Sequence, residues 1–295
     1  MAPLENESAL PLPRLERSAL SSGSFFIGDP ALGRALLAFT SRHGGTSAAP
    51  YASRNLGRRT DDDAAAIERN IDITLTELGL ADARDALVNP VQVHGEAILA
   101  LLDDEEDRRL EAAARHDGLE VVHRQGSGDV ECDAVVCTAP GIPVMLCFAD
   151  CVPVAVVAPD GSFAAIHSGW RGTIADIAGK GATALARALD CDPASLNAYI
   201  GPHIGTCCYE VSDELAQRFA ERFGAGCIAG ERHLDLEFAV RASLVDAGIA
   251  PGRIASAGVC TSCDTGEFFS HRAEHGTTGR FGMIVCKGKQ GSEWK

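Results

Sequence analysis

The amino-acid sequence predicts an α+β fold with mixed sheets in a single domain. Short apolar runs rich in valine outnumber the segments with helical spacing, and hairpin-type turn residues separate many of these runs. This pattern favours mixed sheets over a doubly wound parallel sheet. The 295 residues show no internal repeat and no linker, and single α/β domains reach this size. We therefore predict one domain at residues 25–288, a flexible leader at 1–24 and a polar tail at 289–295.

Apolar runs predict the strands of this domain. The runs at 142–148 and 152–158 are too rich in valine for helices and show no alternation, so we expect strands buried on both faces. A Pro-Asp-Gly turn at 159–161 then leads into a returning strand at 163–167. We predict a strand at 86–93, with 96–102 as its hairpin partner. The other strands are predicted at 35–40, 118–124, 130–138, 197–200, 255–259 and 281–286.

Five segments have the pattern of helices. Residues 61–79 begin with three aspartates, which suit an N-terminal cap and the helix dipole, and continue with apolar residues at helical spacing. Residues 103–116 are charged and rich in alanine, which predicts a helix on the surface. The remaining helices are predicted at 173–189, 212–223 and 234–247.

Composition limits the classes of partner. The formal net charge is −15, which argues against nucleic acid or an anionic membrane as the main partner because both attract basic surfaces. The negative net charge remains compatible with an anionic small substrate, because a few arginines at a binding site outweigh the field of more distant acidic residues. The first residues lack the apolar run of a signal peptide, and no stretch has the length of a membrane span. We therefore expect a cytoplasmic protein.

The eleven cysteines do not have the pattern of a disulfide framework, because their number is odd and their spacing irregular. We expect most of them to be small buried hydrophobic residues. Cys260-x-x-Cys263 is half of a zinc-site pattern, and the only available complement is the adjacent pair Cys207-Cys208. For these four residues the sequence favours buried thiols over a structural zinc site.

Three residues at predicted strand ends suggest a catalytic metal site. His94, Cys151 and His167 each follow or end an apolar run and stand beside a glycine or another small residue. A spacing of 16 positions between Cys151 and His167 suits two neighbouring strands joined by a turn. Two imidazoles and a thiolate suit Zn²⁺, whose catalytic sites usually keep three protein ligands and one open position. Taken singly, each residue is more often structural than ligating.

The same stretches carry a family resemblance. Residues 92–95, 149–153 and 167–172 look like the three signature motifs of the YfiH/DUF152 family, which is also called laccase-domain or multicopper polyphenol oxidase-like. Further segments agree at 40–45, 55–57, 200–205, 209–211, 260, 268–272 and 278–281. The match runs in order from about residue 25 to residue 285, which makes it far more specific than any single motif.

The resemblance implies a layered αββα sandwich and zinc-dependent purine nucleoside chemistry. The implied reactions are phosphorolysis of adenosine, inosine, guanosine and methylthioadenosine, and deamination of adenosine. The implied zinc ligands are His94, Cys151 and His167, the three residues already selected by their chemistry. Zinc would lower the pKa of a bound water to about 7 and so provide the nucleophile for deamination.

Phosphorolysis also requires an anion site. Arg42 and Arg171 are the candidates for holding phosphate, because a guanidinium matches its oxygens, and Arg171 is also assigned to the catalytic set. Loop amides near glycines 44, 45 and 172 are possible additional donors. Arg272 and Arg280 are predicted to line the pocket, although a structural salt bridge is an equal alternative for each. Asn55, in one of the matching segments, is added to the substrate-binding residues.

Other functions were weighed against this one. Laccase chemistry is disfavoured because copper oxidases need several His-x-His pairs, and this chain has none and only three methionines. A cysteine hydrolase, with Cys151 as nucleophile and a histidine base, would suit an amidase that edits peptidoglycan precursors. A non-catalytic protein that binds zinc or a nucleoside is the third possibility. The sequence does not distinguish a monomer from a homodimer, or zinc from copper.

Overall fold

Two β-sheets form the centre of the structure, a computed structural model that describes residues 10–20, 23–28, 34–123 and 129–289. The strands of the first sheet are β1 (Leu15–Leu20), β2 (Gly23–Gly28), β3 (Ala35–Thr40), β7 (Val144–Phe148) and β14 (Phe281–Lys287). This sheet is antiparallel and has the strand order β1-β2-β3-β14-β7.

The second sheet is mixed. Its strands are β4 (Ile98–Leu101), β5 (Val121–His123), β6 (Ala134–Cys137), β8 (Val152–Val157), β9 (Phe163–Ser168), β10 (Asn197–Ile200) and β13 (Ile254–Ser256). They are ordered β13-β10-β8-β9-β6-β4-β5, and the pairs β13/β10, β6/β4 and β4/β5 are parallel. A short hairpin is formed by β11 (Ile228–Ala229) and β12 (His233–Leu234).

Helices cover the outer face of each sheet. They are α1 (Ala64–Glu77), α2 (Asp104–Asp117), α3 (Trp170–Ile174), α4 (Ile177–Leu189), α5 (Asp213–Phe223) and α6 (Leu236–Asp246). Helix α1 packs on the five-stranded sheet, while α2, α4, α5 and α6 contribute to the core beneath the seven-stranded sheet. The aspartates before α1 act as predicted, since Asp63 accepts the backbone N–H of Ala65. Within the described ranges, no helix combines the length and apolar character that a membrane crossing requires.

Side chains that alternate along the strands create the layers. In β3, Leu37 and Phe39 pack between the two sheets, whereas Leu36 faces α1. In β8, Val154 packs towards the helices and Val157 towards the other sheet. Strand β8 is buried on both faces, which explains its continuous apolar run. The layered αββα sandwich and the α+β class with mixed sheets are confirmed.

Two predictions next to His94 are wrong: the strand at 86–93 and the hairpin pairing of the strand at 96–102. Residues 86–93 make only isolated bridges to neighbouring strands, because Pro90 lacks a backbone donor. The side chains of Asn89 and Gln92 bind the β7 backbone instead, at the Met145 and Cys147 carbonyls. Residues 96–102 do contain β4, but it runs parallel to β5 and β6, so it is not a hairpin partner.

The predicted helix at 173–189 is divided in the structure. It begins three residues earlier, at Trp170, and is interrupted at Asp176, which has a φ of 68°. Gly172 therefore lies inside the first turn of α3 rather than in a preceding loop.

The leader and tail boundaries remain predictions. Strand β1 and the start of β2 fall within residues 1–24 and pair with the five-stranded sheet. Residues 1–24, predicted as a leader, thus include strand residues that the polar composition of β1 did not indicate. Residues 1–9 and 290–295 lie outside the described part of the chain.

A buried ion pair joins the loop at 43–57 to α1, and nothing in the sequence indicated it. The guanidinium of Arg54 is fully buried and donates to the His43 carbonyl at 2.6 Å, the Thr74 hydroxyl at 3.1 Å and the Glu77 carboxylate at 2.8 Å. Removing one partner of a buried pair is costly because it leaves the other charge without compensation. Arg54 thus fixes the loop at 43–57 against α1.

Replacement of Arg54 by methionine should lower the free energy of unfolding by about 3–5 kcal/mol, because it removes the buried guanidinium that binds the Glu77 carboxylate. Urea denaturation followed by circular dichroism measures this change. The control is Arg59→Met, which removes an exposed pair with Asp129 and should have little effect. Equal stability of both variants would show that the buried pair contributes nothing.

Candidate metal centre

Two neighbouring strands bring Cys151 and His167 together. The antiparallel register pairs Val152 of β8 with Ser168 of β9, which places Cys151 opposite Gly169 just beyond the strand ends. His94 enters from the loop that precedes β4. One ligand atom from each of His94, Cys151 and His167 lies within 4.8 Å of the other two. The structure therefore assembles the three predicted ligands into one cluster.

The buried carboxylate of Asp133 holds two of these ligands in place. It accepts His167 Nδ1–H at 2.7 Å and the backbone N–H groups of Val93, His94 and Gly95 at 3.1, 3.0 and 2.7 Å. These bonds stabilise the loop conformation in which His94 has a φ of 60°. Because Nδ1 of His167 is used, its Nε2 is left to face Cys151.

Charges at the cluster favour the ligating form of the cysteine. Burial alone would raise the pKa of Cys151, but the charge of His167 and hydrogen bonds from His167 and His94 lower it to about 6. Burial opposes the charged form of His167, yet Cys151 and Asp133 raise its pKa to about 9. Without a metal, the pair is therefore a thiolate beside an imidazolium at neutral pH. A thiolate is both a metal ligand and a nucleophile.

Gly169 leaves the space that the ligands occupy. A Cβ atom added at Gly169 would lie 2.9 Å from Cδ2 of His94 and 3.0 Å from Sγ of Cys151. Both distances are shorter than an ordinary contact between side chains. The backbone of Gly169 is in a region open to any residue, with a φ of −76°. The requirement for glycine is therefore one of space and not of backbone conformation.

Arg171 is the predicted anion ligand that remains available. Its side chain is exposed and lies over the ring of Trp170, 4.3 Å from the centroid. Among the described residues, it has neither a hydrogen-bond acceptor nor a carboxylate partner. The guanidinium can therefore bind an external anion without breaking a contact within the protein.

Arg42 is engaged by the protein itself. Its Nε donates to the Ala52 carbonyl at 3.0 Å, and its two other nitrogens bind the Thr265 carbonyl at 2.7 Å and Glu274 at 3.1 Å. The guanidinium also lies over the ring of Phe269. These contacts join three loops, and binding phosphate here would have to replace some of them. The amide of Gly45 is also used, by the Ser53 hydroxyl.

Asn55 and Arg280 support each other at the base of a loop. The Asn55 amide donates to Thr60 at 2.8 Å and Asp62 at 2.9 Å, and its oxygen accepts the N–H groups of Gly57 and Arg280. The guanidinium of Arg280 donates to two nearby carbonyls. Because the amide nitrogen of Asn55 already donates to Thr60 and Asp62, it has no N–H left to donate to a substrate.

Arg272 and the segment at 208–210 lie on one side of the His94–Cys151–His167 cluster, and together they form a wall beside it. Arg272 donates to the carbonyls of Cys208 and Glu210 and lies over the ring of Tyr209 at 5.1 Å. Burial and, to a smaller extent, the charge of Cys151 together raise the pKa of Tyr209 to about 12. Tyr209 is thus within electrostatic range of Cys151 and is a neutral hydroxyl at physiological pH.

Asp150 connects this wall to the cluster. It immediately precedes Cys151, has a φ of 89°, and accepts hydrogen bonds from Thr261 Oγ1 at 2.7 Å and the backbone N–H of Arg272 at 2.6 Å. Backbone in this region persists only where its surroundings hold it. The two bonds therefore fix the direction in which the Cys151 side chain leaves the strand.

Sequence reasoning missed Asp133 and Gly169. The available signal for Asp133 was a single acidic residue at the entrance to the apolar run that becomes β6, since such a residue is buried only with partners. The signal for Gly169 was its place between two predicted site residues. Neither signal identifies the contacts without the structure.

Similarity to known proteins identifies the family of this chain. Residues 36–287 match the family model described as multi-copper polyphenol oxidoreductase laccase. The chain belongs to this family. It is 33% identical to purine nucleoside phosphorylase YlmD of Geobacillus stearothermophilus, over 90% of this chain and 94% of that protein. It is also 33% identical to a purine nucleoside phosphorylase of Deinococcus radiodurans, over 84% and 87% of the two chains.

Solved structures of the laccase-like family show the same fold. The crystal structure of YlmD from Geobacillus stearothermophilus superposes with a TM-score of 0.77 at 30% identity and covers 92% of this chain and 99% of that one. Bacillus licheniformis hypothetical protein YfiH gives a TM-score of 0.76 at 29% identity, over 91% and 98%. The predicted resemblance to the YfiH/DUF152 family is confirmed.

Substitution of Asp133 by asparagine should weaken zinc binding at the cluster by about 10- to 100-fold, because the carboxylate orients His167 and the loop of His94. Competition with a chromophoric chelator measures the affinity. Asp246→Asn, an exposed change at the end of α6, is the control. Unchanged affinity in a folded Asp133→Asn variant would contradict the orienting role.

Gly169→Ala should remove one zinc equivalent per chain after dialysis, because the new methyl group presses on His94 and Cys151. The matched control is Gly252→Ala, where an added Cβ meets nothing within 4 Å. Metal analysis and thermal melts of both variants separate ligand displacement from unfolding. Full zinc retention by a folded Gly169→Ala protein would show that the cluster does not bind zinc as described.

Proposed function

We propose that this protein is a purine nucleoside phosphorylase with a zinc ion held by His94, Cys151 and His167. The observation that carries the proposal is the convergence of these three side chains, whose ligand atoms lie within 4.8 Å of one another, with Asp133 orienting His167 and the His94 loop. Arg171 follows His167 in α3 and has no hydrogen-bond acceptor among the described residues. The reaction class comes from the relatives, which are named purine nucleoside phosphorylases at about 33% identity. The geometry thus supports the proposed site, and the relatives support the reaction class.

The donor set fits zinc. A thiolate and two imidazole nitrogens match its preference for sulfur and nitrogen, and three protein ligands leave a position open for a reactant. Zinc held there would supply a Lewis acid that polarises an oxygen atom of a reactant. Asp133 keeps His167 in the required tautomer and supports its basicity. The lowered pKa of Cys151 keeps the thiol ionised for ligation.

In phosphorolysis, a phosphate oxygen bonds to ribose C1′ while the bond between C1′ and the purine nitrogen breaks. The electron pair leaves with the purine, which takes a proton from phosphate or solvent. We assign the phosphate to Arg171, whose guanidinium matches two phosphate oxygens and has no competing partner among the described residues. Arg272 lies on the neighbouring wall, where Asp150 fixes its backbone. Its role in binding nucleoside is a proposal, as are those of Arg42, Asn55 and Arg280.

The proposed substrates are adenosine, inosine, guanosine and methylthioadenosine. The same centre would also serve deamination of adenosine, in which a water oxygen bonds to purine C6 and ammonia leaves. Polyphenol oxidation is not proposed, because the chain lacks the His-x-His pairs that multicopper centres use.

One observation favours a second candidate. The ligand atoms of Cys151 and His167 lie within 4.8 Å of each other, and a cysteine whose pKa is lowered by a neighbouring histidine is the arrangement of a cysteine hydrolase. In that enzyme the thiolate would attack an amide carbonyl, and the histidine would protonate the departing amine. Such an enzyme would retain activity after chelation and lose it on alkylation of Cys151. The zinc phosphorylase shows the opposite response to chelation.

A panel of nucleosides incubated with and without phosphate tests the proposal. Free base and ribose 1-phosphate should form only with phosphate, and Cys151→Ala should lower turnover at least ~100-fold because a ligand is lost. Arg171→Met should raise the KM for phosphate about 10- to 100-fold, since it removes a charge-assisted contact. Arg218→Met, an exposed arginine on α5, is the control.

Ammonia release in the absence of phosphate measures deamination separately. Full turnover by Cys151→Ala would contradict the metal centre. Binding of inosine without release of hypoxanthine would instead support a non-catalytic nucleoside-binding protein.

A further inference from the structure

Four cysteines far apart in sequence meet at a second place in the structure. Sγ of Cys263 lies 3.3 Å from Sγ of Cys207 and 3.4 Å from Sγ of Cys208. With Cys260, the four sulfur atoms all lie within 4.8 Å of one another. All four cysteines are free thiols. We call this group the cysteine cluster.

The sheet topology explains the convergence. Strands β10 and β13 are parallel neighbours, so the chain leaves both at the same edge of the sheet. The pairing continues past the strands through hydrogen bonds between His203 and the backbone of Val259 and Thr261. Each chain then turns and delivers two cysteines, and the backbone N–H of Gly205 donates to Sγ of Cys260 at 3.2 Å.

Burial does not account for the cluster. The sequence favoured buried thiols, but Cys207 and Cys263 are exposed and Cys208 and Cys260 are only partly buried. A cysteine that serves as a small hydrophobic residue is normally inside the core. The prediction of buried thiols is therefore wrong for this group, because adjacent cysteines gave no sign that the turn would aim both towards Cys263.

From this geometry we propose that the cysteine cluster binds one Zn²⁺ ion as a structural site. Four thiolates around a tetrahedral zinc ion at about 2.3 Å lie ~3.8 Å from one another, which falls within the observed spread of sulfur distances. Four sulfur ligands select zinc over hard cations. They also leave no open position, which distinguishes this site from the His94–Cys151–His167 centre.

The ion would join two loops that support the catalytic wall. The Cys208 carbonyl accepts from Arg272, and Thr261, between the two cysteines of the other turn, donates to Asp150. Asp150 in turn precedes Cys151. Zinc in the cluster therefore fixes the backbone from which both contacts are made. Its loss is expected to lower stability first and activity second, since structural zinc contributes directly to folding.

Metal analysis of the full chain, purified under reducing conditions, tests the site. Cys260→Ser should retain one zinc equivalent fewer per chain than the parent, with a melting temperature lower by about 5–10 °C. The matched control Cys191→Ser removes a half-buried thiol elsewhere and should lose no zinc. Cys151→Ala should keep the zinc of the cluster, so failure of the catalytic proposal does not affect this one.

Cobalt gives a readout that needs no activity. Co²⁺ loaded into Cys151→Ala should show the visible bands of a tetrahedral tetrathiolate centre, and these bands should be absent from the double variant Cys151→Ala/Cys260→Ser. Alkylation of the unsubstituted protein, with and without a chelator, gives the same information without a variant of the cysteine cluster. The four cluster thiols should react only after the chelator has removed the zinc. The proposal would be overturned if Cys260→Ser kept the full zinc content or if the site held iron. It would also be overturned if the four cluster thiols were alkylated before chelation.

Discussion

The proposed metal centre depends above all on the hydrogen bonds of the Asp133 carboxylate. This carboxylate is fully buried, and burial alone would raise its pKa, but the hydrogen bond and charge of His167 keep that pKa below its ordinary value. The resulting anion holds His167 on one side and the backbone of the His94 loop on the other. A single buried charge thus sets the relative position of two ligands from different parts of the chain, and the strand register supplies the third.

The arginines differ in whether their guanidinium groups have hydrogen-bond acceptors within the protein. Arg54 and Arg42 bind carboxylates and carbonyls within the protein and serve to fix loops. Arg171 has an aromatic neighbour and no acceptor among the residues that the structure describes, so of the two predicted phosphate ligands, Arg42 and Arg171, it is the one available to an external anion. The two proposed metal sites differ in a similar way. The His94–Cys151–His167 site has three ligands and an open position, which suits catalysis. The cysteine cluster has four sulfur ligands and no open position, which suits a structural role.

Much of the fold could be predicted because burial leaves a direct mark on composition. The valine-rich runs of β7 and β8 and the capped pattern of α1 follow from local rules. The segment at 86–93 could not be predicted, because side-chain bonds from Asn89 and Gln92 replace a backbone ladder that Pro90 interrupts. At the site, spacing alone was enough to pair Cys151 with His167. Asp133 and the cysteine cluster depend on contacts across the sheet, which a single sequence does not encode in any local pattern.

Anomalous diffraction at the zinc absorption edge, from crystals of the full chain, would locate the metal directly. We expect a peak at about 2.0–2.3 Å from a ring nitrogen of His94, Sγ of Cys151 and Nε2 of His167, with Asp133 still bound to Nδ1 of His167. Zinc-replete crystals with no peak among these three residues would contradict the proposed metal centre, whatever metal the rest of the molecule holds.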